Sequence, residues 1–172
     1  ASTNPAVVSY DPAFGFELGH IVKDGLRRMY GENSENVYYY LTVYNEPYMQ
    51  PAEPENLDIE GLLKGIYLYA PAEIRSKKKA QILASGVGVN WALKAQKLLA
   101  QDWGVAASVW SVTSWNELRR DGLETDSHNL LHPSDLKQAY VTKKLANVEG
   151  PIVAVSDFMR AVQDQIAPWV PG

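Results

Sequence analysis

The residue pattern that most clearly suggests a binding role is a glycine turn, Gly86 and Gly88, between a predicted strand and a predicted helix. Glycines that open a helix let a phosphate approach the backbone N–H groups of the first turn. The dinucleotide fingerprint G-x-G-x-x-G requires a third glycine, and Trp91 occupies that position. The next predicted strand, residues 107–112, carries no acidic residue to bind a ribose. Two interpretations therefore stay open, a nucleotide-binding site and an ordinary tight turn.

Metal chemistry would depend on three histidines, because the chain contains no cysteine. His20 lies within a predicted helix, whereas His128 and His132 are four residues apart, a spacing that could place two ligands on one helix face. The sequence from Asn129 to Pro133 predicts a loop instead, so we expect no metal site here. The chain also lacks a G-x-S-x-G nucleophile motif and a convincing acid–base pair.

Three residues stand where α/β proteins usually place function. Tyr44, Asn45 and Glu46 lie at the end of a predicted strand, 37–44. Ligands of open α/β sheets bind just beyond the carboxyl ends of the strands. These residues are site candidates by position, without a mechanism attached.

Composition narrows the function classes. The chain has 172 residues, of which 46% are apolar and 21% charged, which predicts one globular domain or one domain with an appendage. A formal net charge of −4 argues against a nucleic-acid partner, and we interpret the basic run Lys77, Lys78 and Lys79 as a solvated lead-in to a strand. No apolar run is long enough for a membrane span, and the first ten residues do not resemble a signal peptide, so we expect a cytoplasmic protein.

Hydrophobic spacing predicts the elements that position these residues. A helix over 13–30 has Asp11 as its cap and Pro12 at its first position, and a strand over 37–44 is apolar on both faces, so we expect both to be covered. Residues 45–58 hold three prolines and four acidic residues, which predicts a linker and a domain boundary.

Beyond that linker, strands and helices alternate. The predicted strands are 65–69, 80–85, 107–112 and 151–156, and the predicted helices are 88–101, 114–120, 139–145 and 157–166. Ser114 caps the second of these helices, and Glu117 completes a capping box. Such alternation predicts an α/β fold with parallel strands and right-handed crossovers.

Eight stretches spread over nearly the whole chain form one pattern. They are SYDPAF (9–14), DGLRRMYG (24–31), NVYYYLT (36–42), MQPAEPE (49–55), GLLKGIY (61–67), WSVTS (110–114), ELRRDG (117–122) and NLLHP (129–133). In one register they resemble the homodimeric bacterial pyruvate dehydrogenases, the decarboxylating first component of the pyruvate dehydrogenase complex. The triple tyrosine together with MQPAEPE is most similar to the actinobacterial members.

The resemblance implies a longer, transketolase-related parent. Residues 1–47 would be the last helix and strand of its pyrimidine-binding domain, and residues 48–172 a transketolase-like C-terminal domain, truncated at its end. The implied fold is α/β, a three-layer sandwich with a mostly parallel sheet.

The resemblance also implies a chemistry for the parent. It would decarboxylate pyruvate with thiamine diphosphate and Mg²⁺, and transfer an acetyl group to the lipoyl group of a partner acyltransferase. The cofactor motif, the activating glutamate and the substrate-facing histidines of the family would lie upstream, so we expect no catalytic, cofactor-binding or metal residue here and no activity from the isolated chain. Tyr44, Asn45 and Glu46 match a segment near the substrate channel, and the chain would serve packing, homodimerisation and assembly.

Two further hypotheses differ from this one. The chain is alternatively a free-standing nucleotide-binding α/β domain that uses the turn at Gly86 and Gly88, or it derives from transketolase itself, which matches NVYYYLT and NLLHP less well. A truncated sheet edge also predicts association in solution.

Overall fold

Two sheets organise the chain in the computed structural model, which describes residues 2–45 and 47–172. The smaller sheet pairs strand β1 (Val7–Tyr10) in parallel with strand β2 (Tyr38–Leu41), and helix α1 (Gly15–Tyr30) connects them. A connection of this kind is the usual crossover between parallel strands. Helix α2 (Ile59–Lys64) follows the linker and precedes the larger sheet.

The larger sheet has four strands in the spatial order β3-β5-β4-β6. Its strands are β3 (Tyr67–Ala70), β4 (Lys79–Ala84), β5 (Ala106–Ser111) and β6 (Ile152–Val155), and its helices are α3 (Gly88–Trp103), α4 (Trp115–Leu131), α5 (Tyr140–Leu145) and α6 (Arg160–Asp164). Strand β4 runs parallel to both β5 and β6, while β3 runs antiparallel to β5.

Helices cover both faces of this sheet. On one face, Val89 and Ala92 of α3 pack against Ile82 and Val109 of the strands. On the other face, α4, α5 and the C-terminal segment pack against the sheet; the buried members of that cluster include Leu83, Trp110, Leu118, Val141, Leu145 and Ile166. The predicted three-layer α/β sandwich with a mostly parallel sheet is confirmed.

The expectation of parallel pairing is wrong for β3. Only residues 71–78 separate β3 from β4, and this connection contains no helix. A parallel neighbour requires a crossover of a dozen or more residues, so the shorter connection suits the antiparallel edge position that β3 occupies.

The prediction that the strand over 37–44 is covered on both faces is also wrong. Strand β2 is shorter, and Tyr38 and Tyr40 are 51% and 57% exposed. The other face, with Tyr39 and Leu41, packs onto a cluster that contains Val8 and Ile21. A two-stranded sheet that packs on one side leaves alternate side chains in solvent.

The helix predicted over 114–120 extends to Leu131 as α4. The segment Asn129–Leu131, predicted as a loop, is therefore the last turn of this helix. His128 lies within the helix just before this segment, and His132 follows it at the helix end. The helix escapes recognition by pattern because only Trp115, Leu118 and Gly122 are buried along its seventeen residues. Ser114 does cap it, since its hydroxyl accepts a hydrogen bond from the N–H of Glu117.

Helix α1 begins later than predicted, at Gly15, and Asp11 does not cap it. Glu17 instead reaches back, and its carboxylate accepts hydrogen bonds from the N–H groups of Ala13 and Phe14. Asp11 is engaged elsewhere, as described below. No helix or strand lies between Leu41 and Ile59 in the described residues, as the proline-rich composition predicted.

Candidate functional site

The carboxyl ends of strands from both sheets meet at one place, which we call the junction. Asp11 follows β1 and Thr42 follows β2, while Ser85 follows β4 and Ser156 follows β6. This edge of a parallel sheet is where α/β proteins place functional groups. The smaller sheet thus faces the larger sheet across a polar seam.

Asp11 is the centre of the junction and is 5% exposed. One carboxylate oxygen accepts hydrogen bonds from the hydroxyls of Thr42 at 2.5 Å and Tyr44 at 2.7 Å, and the other accepts from Ser85 at 2.7 Å. The backbone N–H of Asp11 donates to the carbonyl of Thr113 just beyond β5, and its own carbonyl accepts from the N–H of Gly86. The carboxylate of Asp11 thus joins the ends of β1, β2 and β4, and its backbone N–H adds the end of β5.

Tyr44, the first candidate residue from the sequence, belongs to this junction. Its half-buried phenol packs against Gly86, and burial, together with the adjacent Asp11, raises the pKa of Tyr44. Asn45 is exposed, and the candidate Glu46 lies outside the described residues. In the structure, Tyr44 is therefore hydrogen-bonded to Asp11, whereas Asn45 lies on the surface.

The glycine turn is occupied by the protein itself. Gly86 has a φ of +52°, a conformation that favours glycine, and a Cβ there would collide with the Tyr44 ring. Gly88, at the start of α3, lies against Val155, the last residue of β6, and Ser156, which follows it. These contacts support the tight-turn interpretation, because the phenol and the neighbouring strand end take the space that a phosphate would need.

A second buried carboxylate, that of Glu17, connects α1 to the larger sheet. Besides its two backbone donors, it accepts hydrogen bonds from the hydroxyls of Tyr67 in β3 at 2.7 Å and Ser111 in β5 at 2.6 Å. Glu17 is 0% exposed, and no basic side chain pairs with it among the described residues.

The two effects on the pKa of Glu17 oppose each other. Burial raises the pKa because it penalises the charged form, whereas the hydrogen bonds from Ser111, Tyr67 and the backbone lower it, and burial prevails. Burial likewise raises the pKa of Tyr67, and the neighbouring carboxylate adds to this effect. Glu17 is therefore a structural carboxylate whose protonation is coupled to folding.

A cleft of about 380 Å³ opens beside Asp11. Its polar wall is a chain of side chains in which Gln165 donates to Asn116 at 3.2 Å and Asn116 donates to Ser9 at 2.5 Å. Its apolar wall includes Tyr40 and Phe158. No lysine, arginine or histidine lines the cleft within the described part of the chain, so it offers no charge to a phosphate.

The histidines form no metal site in the structure. The rings of His128 and His132 lie with their centroids 4.7 Å apart and their planes tilted by 38°. His128 Nε2 donates a hydrogen bond to the carboxylate of Asp135 at 3.2 Å in the tautomer that carries its proton there. The ammonium of Lys137 lies 3.4 Å from Nδ1 of His128, and its positive charge would repel a metal ion bound there. Over residues 2–45 and 47–172, no group of three His, Cys, Asp or Glu side chains converges as metal ligands.

Sequence reasoning missed the two buried carboxylates as functional groups. Glu17 carried a usable signal, since it lies three residues after Phe14 and four before Ile21, on the apolar side of the helix. An acid at such a position must find hydrogen-bond donors. Asp11 and Ser85 carried no comparable signal, because their contact joins residues that are seventy-four positions apart.

Comparison with known families identifies the class of protein. Residues 65–170 match the model of the transketolase-like TK C-terminal domain, and residues 1–51 match that of the pyruvate dehydrogenase E1 component middle domain. Because the first match covers more than half of the chain, the chain belongs to the family with a transketolase-like C-terminal domain.

Particular relatives are pyruvate dehydrogenase E1 components. Those of Mycolicibacterium smegmatis and Corynebacterium glutamicum are 62% and 52% identical to this chain, and that of Escherichia coli is 44% identical. The alignments cover 98–100% of this chain and 19% of each relative, so the chain spans about a fifth of their length. The resemblance to bacterial pyruvate dehydrogenase, of the actinobacterial type, is confirmed, and the relatives are enzymes.

Solved structures confirm the fold. A transketolase mutant from Pichia stipitis superposes with a TM-score of 0.54 at 23% identity, covering 90% of this chain and 19% of that chain. Transketolase from Leishmania mexicana gives 0.56 at 19% identity, with 92% and 19% coverage. None of the helices in the described residues has the length and apolar character needed to cross a membrane.

Proposed function

We propose that this chain is the part of a pyruvate dehydrogenase E1 component that joins its middle domain to its C-terminal domain. The observation that carries the proposal is the order of the two family matches, middle domain over residues 1–51 and C-terminal domain over 65–170, in one continuous alignment with E1 relatives. The domain boundary at residues 47–48 is part of this proposal, and so is the role of the parent in pyruvate decarboxylation and acetyl transfer to a lipoyl group.

Contacts across the boundary support a joining role. Side chains of the first segment bind the second through Asp11 with Ser85 and through Glu17 with Tyr67 and Ser111. The hydroxyl of Ser114 also donates to the carbonyl of Ser9, and Arg120 donates to that of Val7. Five hydrogen bonds across the boundary, of which the three to the carboxylates are buried, favour one rigid unit over two domains on a flexible tether.

Thiamine diphosphate would supply the parent with a stabilised carbanion, but the described residues do not fit this group. The carboxylate of Asp11 is already occupied by three hydroxyl donors, and the adjacent cleft has no cation for a diphosphate. We therefore assign the cofactor and its Mg²⁺ to other parts of the parent.

The segment Tyr44, Asn45 and Glu46 remains our candidate for a wall of the substrate channel. Its support is the resemblance to the transketolase relatives together with the anchoring of Tyr44 by Asp11, which fixes where the exposed Asn45 emerges. The remaining roles are proposed for the parent: a homodimer, an acyltransferase partner with lipoyl groups, and a cytoplasmic location.

The test uses the full-length parent that contains this chain. With thiamine diphosphate and Mg²⁺, we expect it to reduce an artificial electron acceptor in a pyruvate-dependent manner. A folded, cofactor-loaded parent that does not consume pyruvate would refute the function. For the channel, Asn45→Ala should raise the KM for pyruvate, whereas the control Asn56→Ala, at another exposed asparagine, should leave it unchanged. If both variants have the same KM for pyruvate, the segment is not part of the channel.

Binding experiments on the isolated chain distinguish the proposed function from nucleotide binding. We expect calorimetric titration with thiamine diphosphate and Mg²⁺ to give no heat of binding, and tight binding would show that the cofactor assignment is wrong. Saturating NAD, FAD or ATP should leave the melting temperature unchanged, because a ligand of the folded state would raise it. A clear rise would instead favour the alternative, a free-standing nucleotide-binding domain.

A further inference from the structure

An alternating pattern of contacts runs along residues 42–50, the segment that follows β2. The even-numbered side chains described there hydrogen-bond to residues 11–15, between the end of β1 and the start of α1; they are Thr42, Tyr44, Tyr48 and Gln50. The odd-numbered side chains are exposed; they are Val43, Asn45, Pro47 and Met49. One side of the segment is therefore attached to the protein, and the other side presents its residues to solvent.

The two attachments farthest from β2 bind backbone groups near the start of α1. The hydroxyl of Tyr48 donates to the carbonyl of Ala13, and the ring packs against the cluster that contains Ala13 and Phe14. The side-chain oxygen of Gln50 accepts a hydrogen bond at 2.9 Å from the N–H of Gly15, the first residue of α1. The N–H groups in the first turn of a helix have no partner within the helix, so Gln50 satisfies a donor that the helix leaves free.

The groups to which the segment is attached are themselves fixed by the rest of the protein. The carboxylate of Asp11, which binds the hydroxyl of Tyr44, also accepts from Ser85 beyond β4, and the N–H of Ala13 donates to the buried Glu17. A segment held at several side chains on such a base loses little conformational freedom when it meets a ligand. Its exposed side chains are therefore in place before binding.

We propose that the three anchoring side chains of Tyr44, Tyr48 and Gln50 are positioning residues. They act through Asn45, which they hold in place at the wall of a substrate channel. This inference rests on the function proposed above, in which Asn45 is the exposed channel candidate. An amide among apolar neighbours suits a small oxo acid, because the amide N–H can donate to a carboxylate oxygen while the apolar side chains contact the alkyl group.

Loss of an anchor should change binding and not the number of active sites. A released segment spends less time in the binding conformation, and the apparent affinity for substrate falls by the same fraction. The KM for pyruvate therefore rises. A variant that is merely less stable has fewer folded active sites, which lowers kcat at an unchanged KM.

The test uses the full-length parent loaded with thiamine diphosphate and Mg²⁺, and it measures pyruvate-dependent reduction of an artificial electron acceptor. Tyr44→Phe together with Tyr48→Phe removes two anchoring hydroxyls and keeps both rings, and Gln50→Ala removes the third anchor. Hydrogen exchange followed by mass spectrometry reports on the backbone of residues 42–50 in the same samples. Matched controls at exposed positions elsewhere are Tyr30→Phe together with Tyr38→Phe, and Gln101→Ala.

We expect the anchor variants to exchange the amide hydrogens of residues 42–50 faster than the unmodified parent does. They should raise the KM for pyruvate about threefold to tenfold at a similar kcat, the factor for which one net hydrogen bond accounts. The controls should match the unmodified parent in both measurements. In an Asn45→Ala background, the anchor changes should add little to the KM, because positioning acts through that side chain.

Four results would overturn the inference. Unchanged exchange over residues 42–50 would show that the anchors do not hold the segment, and a lower kcat at an unchanged KM would make them structural residues only. A full effect on KM that persists in the Asn45→Ala background would show that the anchors act elsewhere. If the unmodified parent consumes pyruvate while neither Asn45→Ala nor the anchor variants change its KM, the positioning role fails and the proposed reaction stands. A loaded parent that consumes no pyruvate refutes the reaction, and this inference with it.

Discussion

The hydrogen bonds of Glu17 predict how the contact between α1 and the larger sheet responds when this buried carboxylate is removed. In Glu17→Ala, the N–H groups of Ala13 and Phe14 and the hydroxyls of Tyr67 and Ser111 lose their acceptor. The hydroxyls can rotate toward other partners, but the two backbone donors are fixed and buried. Each costs about 1–3 kcal/mol when left unsatisfied, so the expected loss in free energy of unfolding is about 2–6 kcal/mol.

Glu17→Gln should cost far less, because the arrangement of donors suits an amide. One carboxylate oxygen faces the two N–H groups and the other faces the two hydroxyls. The amide oxygen can face the N–H pair, while its NH₂ donates to hydroxyls that are able to accept. The expected loss is about 1 kcal/mol or less.

The same pair of variants tests the sign of the pH dependence. Because burial raises the pKa of Glu17 in the folded state, folding retains its proton to a higher pH than the unfolded chain does. Its contribution to stability is therefore complete below the ordinary glutamate pKa, about 4.3, and is lost as pH rises through the folded-state pKa. Glutamine does not titrate, so Glu17→Gln should gain stability relative to the unmodified chain over that rise in pH.

Urea unfolding followed by tryptophan fluorescence and circular dichroism, at several pH values, measures both effects. Glu55→Gln is the matched control, since Glu55 is exposed and makes no ion pair in the described structure. The reasoning fails if Glu17→Ala is as stable as this control, or if Glu17→Gln loses stability relative to the unmodified chain as pH rises.

Three other substitutions test the packing by the same unfolding assay. Leu118→Ala, at a fully buried position, should lower the free energy of unfolding by about 2–5 kcal/mol, and a loss below 1 kcal/mol would place Leu118 outside the core. Gly122→Ala should cost about 1–3 kcal/mol, because its Cβ would collide with the Trp169 ring; the added substitution Trp169→Ala should then make the glycine change nearly neutral. Gly86→Ala should cost at least about 1–2 kcal/mol for its positive φ, with a further cost from the displaced Tyr44, and normal stability would contradict the described turn.

Local pattern was sufficient where one element's chemistry is contained in its own residues. The strands β4 and β5, the helix α3 and the cap at Ser114 lie within a few residues of their predicted positions. Composition also predicted that the described residues of the proline-rich segment, 45 and 47–58, form no helix or strand. In each case, propensity, hydrophobic spacing and turn residues act over short separations, so the sequence contains them directly.

The sequence pattern gave wrong or incomplete predictions where the structure depends on contacts between residues far apart along the chain. The antiparallel direction of β3 and the exposure of Tyr38 and Tyr40 depend on which strands become neighbours. The full length of α4 depends on packing at only a few positions, since most of its surface is polar and in solvent. The motifs that resemble pyruvate dehydrogenase identified the family without locating any of these features.

The sequence by itself determined the fold class, the family and most element positions, because these follow from local preferences and from motifs in one register. Only the tertiary structure decided what the buried carboxylates do. It turned Asp11 from an expected helix cap into the centre of the junction, and it placed Glu17 between two hydroxyls of the opposite sheet. Those roles arise from donors that folding brings together over long separations, and a single sequence does not record such distances.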